Sequence, residues 1–141
     1  MASAVKFDCF SLDLGKGYHN FPSHTFKVVL CLTAPVVTNA LLGDLTQIAA
    51  ANGYTADGNV ATLTSWTQTD GAATLVLADP ATWTATGGAM GSFRYAVLYN
   101  ATTTDGPLIQ YWDYGGTISL LEGESFVTDF DATTGVLVVG D

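Results

Sequence analysis

Residues 60–78 read VATLTSWTQTDGAATLVLA, two runs rich in Val, Thr, Leu and Trp separated by Asp70-Gly71. Asp-Gly supplies the positive φ angles of a tight hairpin, so the segment predicts two antiparallel strands, Val60–Thr69 and Ala72–Ala78. Similar punctuation recurs at Asp57-Gly58, Gly87-Gly88, Asp105-Gly106, Gly115-Gly116 and Thr134-Gly135. Between these breaks lie further candidate strands: a short one around Trp83, then Phe93–Tyr99, Leu108–Tyr114, Thr117–Leu121, Ser125–Phe130 and Val136–Val139. Upstream, Thr25–Thr33 reads TFKVVLCLT and is apolar on both alternating sets after Lys27, the pattern of a strand buried on two faces. Together these make about eight or nine strands with little helix. The chain is therefore expected to be mainly β, an antiparallel β-sandwich of jelly-roll or immunoglobulin-like type.

Working outward to the N-terminus, Phe7, Phe10 and Leu14 fall at i, i+3 and i+7, which predicts a short amphipathic helix ended by Gly15 and Gly17. An aromatic-rich connector, Tyr18 to His24, follows. Residues 1–24 thus form a helix and arm attached to a sandwich spanning 25–141, with no linker that would separate two domains. One further short helix is expected where Leu42, Leu45, Ile48 and Ala49 take helical spacing ahead of Gly53. No repeat of fixed period appears, which excludes solenoids and propellers.

Composition narrows the function classes. The 141 residues carry 4 Lys plus Arg against 13 Asp plus Glu, a formal charge of −9. So acidic a chain is a poor direct partner for nucleic acid or an anionic membrane, where Lys and Arg supply the attraction. Charged residues are 12% of the chain, about half the usual share, while Thr alone contributes 20 residues. A surface so poor in charge suits extensive contact with other subunits, since few ions must be stripped of water. No apolar run reaches the length of a membrane span, and the N-terminus lacks the pattern of a secretory signal, so synthesis in a cytoplasm is expected. Cys9 and Cys31 have no metal-ligand spacing and read as free thiols.

Chemistry-bearing constellations are sparse. His19 and His24 share one connector and have no nucleophile motif to serve, so a general-base role is not expected. A metal site with Asp8 or Asp13 lacks a third ligand set by spacing. Asp129 and Asp131 would share one face of a strand, opposite Phe126, Thr128 and Phe130, and so face solvent; paired carboxylates there would at most hold a cation weakly. Tyr111-Trp112-Asp113-Tyr114 has the aromatic content of a sugar-binding surface, but alternation sends Trp112 to the core and leaves Tyr111 outside. Asn100-Ala101-Thr102 matches a glycosylation sequon that is incidental without secretion. No phosphate loop is present. The expectation is a protein with no catalytic residues, no cofactor and no bound metal.

Several stretches carry a resemblance: KFDCFSLDLGKGYHNFPSHTFKVVL from Lys6, GYTADGN from Gly53, TWTATGGAMGSFRYAVLYN from Thr82, PLIQYWDYGG from Pro107 and GESFVTDFDATTGVL from Gly123. Over Lys6 to Val139 the chain resembles a group of small tailed-bacteriophage and prophage virion proteins. The resemblance implies a capsid decoration, or cement, protein. Such a protein is made in the host cytoplasm, sits on the exterior of the phage head, and binds the major capsid (coat) protein as a small homo-oligomer, a dimer or trimer. It also implies the alternatives of a neck, tail or fibre-associated part, and a glycan- or receptor-binding module stands as a further class. The contact residues expected are aromatic anchors and their neighbours: Phe7, Phe10, Tyr18, His19, Phe21 and Tyr111. The competing expectation is that the arm simply caps the subunit's own sandwich.

Overall fold

The computed structural model describes residues 4–140 of the chain; the first three residues of the N-terminal segment and residue 141 lie outside the described residues. Ten strands and one α-helix follow in the order β1 (Ala4–Lys6), α1 (Phe10–Gly15), β2 (Phe26–Cys31), β3 (Asn59–Ala61), β4 (Leu63–Thr69), β5 (Ala72–Leu77), β6 (Trp83–Thr84), β7 (Met90–Asn100), β8 (Leu108–Leu120), β9 (Ser125–Phe126) and β10 (Leu137–Val139). The strands form a five-stranded sheet in the order β1-β8-β7-β2-β3, a three-stranded sheet β10-β5-β4 and a two-stranded pair β6-β9. Every pairing is antiparallel. The fold is mainly β and sandwich-like, as its alternating pattern predicts.

The central strand explains the arrangement. In β2, Phe26, Val28 and Leu30 enter the main core, while Val29 and Cys31 enter a second cluster on the opposite face. Val28 to Cys31 are fully buried, so the five-stranded sheet is covered on both sides. Its main face meets Leu75, Leu77 and Leu137 of the three-stranded sheet and Trp83 of the two-stranded pair. Its other face, with Tyr95, Val97, Tyr99 and Leu108, is covered by Phe7, Cys9, Leu42 and Leu45, which come from segments outside the ladder.

Local details depart from the sequence reading at five places, each for a packing reason. The run Val60–Thr69 is two strands, because the chain changes sheets at Thr62: β3 pairs with β2, whereas β4 pairs with β5. Leu108–Tyr114 and Thr117–Leu121 are one strand. Gly115-Gly116 does not reverse the chain; Gly115, at φ +83°, donates its backbone N–H to Asp113 Oδ1 within an irregular ladder against β7. Ser125–Phe130 keeps its in–out alternation, with Thr128 and Phe130 buried, but pairs as a strand only over Ser125–Phe126.

The helix expected around Leu42 to Ala49 is a single 3-10 turn, Leu42–Asp44. Leu42 and Leu45 pack on the outer cluster while Ile48 enters the main core, and its N–H donates to Leu30 O. No one helical face could reach both clusters. The N-terminal helix is likewise shorter than its spacing suggests. Phe10 lies in the main core, but Phe7 precedes the helix and sits in the outer cluster, so the two rings occupy opposite sides of the sheet.

Candidate functional site

The arm is the segment whose fate bears most on function. Phe7, Phe10, Phe21 and His19 are all buried. Phe21 lies 4.6 Å from the Trp66 ring and 5.3 Å from Phe26, measured between centroids. His19 completes a three-ring cluster, 5.5 Å from Phe10 and 6.1 Å from Phe21 and nearly parallel to the latter, with Phe10 and Phe21 6.4 Å apart. These four rings pack within the subunit itself and present little of their surface outside it.

Tyr18 differs. It is 40% exposed, with Lys16 Nζ 5.6 Å from its ring centroid. It borders a cleft of about 450 Å³ whose walls are Ala40 and Leu41, Thr103 to Asp105 from the β7–β8 loop, Pro107, and the buried Asp13 of α1. Leu41, also on this rim, is 37% exposed. The cleft thus combines an aromatic ring and an apolar side chain at its mouth with carboxylates from Asp13 and Asp105. Leu12, on the outer side of α1, adds a further exposed apolar side chain. The arrangement suits a docked segment with an apolar body and a cationic or hydrogen-bond-donating tip.

Behind the cleft lies a polar junction that links arm to sheet. Asn100, the last residue of β7, is fully buried, and its side-chain nitrogen faces Tyr18 O at 3.0 Å, His19 Nδ1 at 3.1 Å and His24 Nδ1 at 2.9 Å. Burial pushes the His19 imidazole down to about 4, more strongly than the nearby Asp13 carboxylate pulls it up. Burial also closes the sequon at Asn100 to modification in the folded subunit.

Tyr111 is half-buried on the outer face of β8, its ring 5.3 Å from Phe7 and 6.3 Å from Tyr95. It serves as a lid on the outer cluster more than as a free stacking platform. Trp112, on the opposite face, is core. Beside them Arg94 grips Asp113 through two bonds of 2.8 and 3.1 Å. This is the one ion pair among the described residues. Asp113 is held below the ordinary carboxylate range by that guanidinium first and by the Gly115 N–H second.

Asp129 and Asp131 lie beyond the short β9 and are not placed side by side by a ladder. Asp131 Oδ1 accepts the Thr133 and Thr134 N–H groups at 2.7 and 2.8 Å, which hold its carboxyl below its usual value. It organises its own turn. Among the described residues no group of three or more His, Cys, Asp and Glu side chains gathers as metal ligands. Both cysteines are free thiols, with burial pushing Cys9 up to about 11 and Cys31 up to about 12.

Comparisons with protein-family models, with curated proteins and with solved structures find no match. The functional reading therefore rests on the chain itself. Sequence reasoning missed Leu41, and it weighed Asp13 only as a metal ligand and Asn100 only as a sequon. The first two are ordinary residues until the fold brings distant loops together. Asn100 carried a signal, being an amide at the end of an apolar strand where a hydrophobic residue would be expected.

Proposed function

We propose that this protein is a structural component of a tailed-phage particle, a decoration protein that binds outside the head and reinforces junctions between coat subunits. The observation that carries the reading is the character of the exterior. Only 12% of residues are charged, yet Leu12, Val36 and Leu121 are more than half exposed. An exterior of this kind can be buried against neighbours with few charges to strip of water. The resemblance of the stretches from Lys6 to Val139 to small virion proteins supports the same reading. The net charge of −9 is compatible with a place outside the shell, away from packaged DNA.

In mechanical terms, each copy contributes a modest contact, and many copies on one lattice multiply it through avidity. The cleft bounded by Tyr18 and Leu41 is the contact element we assign to the coat protein, in place of the buried phenylalanines. Association of subunits into a dimer or trimer completes the proposal. The deciding experiment is stoichiometry in purified particles. A copy number comparable with that of the coat protein is the expected result. About a dozen copies or fewer would transfer the protein to the neck or tail, and absence from particles would overturn the reading.

A further inference from the structure

The junction at the end of β7 has a proton requirement that can be read from its geometry. Asn100 Oδ1 accepts the backbone N–H groups of Thr102 at 2.9 Å and Thr103 at 3.1 Å. Backbone N–H groups only donate, so the orientation of the amide is set and its NH₂ must face the arm. That NH₂ has donors alone, and its neighbours there are Tyr18 O, His19 Nδ1 and His24 Nδ1. Two hydrogens serve these three neighbours, and an Nδ1–H on either ring would meet them donor to donor, so the junction favours a bare Nδ1 with the proton on Nε2. His24 Nδ1 also accepts the Asn20 N–H at 3.2 Å, which imposes the same tautomer independently.

We propose that this junction is an acid-released latch: a proton on His19 Nδ1 sets a donor against the Asn100 NH₂, and residues 18–20 leave the end of β7 while Phe21 stays in the core and the sheets stay folded. The surroundings support release. His19 Nε2 is buried without a hydrogen-bond partner, in a ring that packs beside those of Phe10 and Phe21. A charged imidazolium there is desolvated and has no bonded acceptor at Nε2 to spread its charge. Among titratable groups around it, Asp13 on α1 favours the charged form, and His24 opposes it; desolvation is the largest influence. Lys6 sits 6.0 Å from the Phe10 ring centroid, Lys16 lies over Tyr18, and Asp105 faces Tyr18 across the cleft. Phe21, Phe26 and Trp66 bring no charge. The β2–β7 ladder, in contrast, is an uninterrupted set of backbone bonds from Phe26 to Cys31 and does not depend on either histidine.

Hydrogen-exchange protection factors, each normalised to the intrinsic rate at its pH, test the latch. Between about pH 7.5 and about pH 5, those of residues 18–20 should fall by roughly tenfold or more, because His19 takes up its proton more readily in the released arm than in the closed junction. Those of β2 and β7 should hold. In the His19→Gln variant, whose amide oxygen can accept from Asn100 but does not titrate, residues 18–20 should lose this pH dependence. An arm that responds equally in the variant, does not respond in the wild type, or opens in step with β2 and β7 would overturn the proposal. Imidazole nitrogen shifts of the wild-type protein at neutral pH give a check that needs no variant: protons on Nε2 in both rings are expected, and a proton on Nδ1 of either refutes the latch.

Discussion

Phe21 and Trp66 meet with ring centroids 4.6 Å apart, and through this contact the arm reaches across to β4 of the three-stranded sheet. The arm is thus part of the packing that holds the two sheets together. A Phe21→Ala substitution should destabilise the isolated subunit by about 3–5 kcal/mol, because it removes a buried ring and leaves a cavity beside Trp66 and Phe26. Thermal unfolding should show a midpoint lowered by on the order of 10 °C. An unchanged midpoint would mean that the arm is not seated in the core.

Tyr18→Ala together with Leu41→Ala should lower that midpoint much less than Phe21→Ala does, since each side chain keeps more than a third of its surface exposed. Binding to emptied coat shells, measured by co-sedimentation, should fall instead. Loss of binding after Phe21→Ala alone, with the Tyr18 and Leu41 pair dispensable, would place the contact elsewhere.

Two glycines separate backbone strain from collision. A Cβ on Gly58 would lie 1.9 Å from Val28 O, at a backbone φ of +78°, so Gly58→Ala must displace β2 or the loop that rests on it. Gly71, at φ +87°, has nothing within 4 Å of the same added atom. Gly71→Ala should therefore cost only the left-handed strain of an L residue, about 1–2 kcal/mol, whereas Gly58→Ala should cost clearly more. Urea unfolding of the two variants would check the order.

Acid should weaken the subunit in two stages. His19 is lowered from an ordinary value of 6.5 to about 4, so its neutral form belongs to the folded state. Its contribution is complete above about 6.5, declines as pH falls through that window, and levels off below about 4. Asp44, Asp113 and Asp131 are depressed carboxylates, so what they contribute is present above their ordinary value of 3.8 and is lost at still lower pH. Stability measured from pH 8 to 3 should begin to fall near 6.5 in the wild type and only near 4 in His19→Gln.

Neither thiol should react with a disulfide reagent at neutral pH. Burial keeps Cys31 protonated, and Cys9 is raised by burial first and then by Asp13. Both should react in denaturant, and rapid labelling of native Cys31 would contradict its place on the covered outer face of the sheet.

The ladder was legible because its signals are local. Alternation in Thr25–Thr33 demands a strand covered on two sides, and Asp70-Gly71, with φ of +52° and +87°, provides the backbone its hairpin needs. Alternation also places Trp112 inside and Asp129 and Asp131 outside without any knowledge of the partners. Charge and composition restrict the function classes in the same way, since they are sums over residues.

What spacing alone could not specify is which of two cores each apolar residue would join. Phe7 and Phe10 stand three apart like neighbours on a helix, yet they lie on opposite sides of one sheet. Leu45 and Ile48 part in the same way. Hydrophobic periodicity reports that a side chain will be buried and is silent about the distant surface that buries it. For the same reason the aromatic arm reads as a row of exposed anchors until its rings close on Trp66 and Phe26, and only then do Tyr18 and Leu41 become the residues left at the surface. Asn100 owes its meaning to contacts some 80 positions away, with Tyr18 and His19. Chain folding creates that proximity, and no local pattern encodes it.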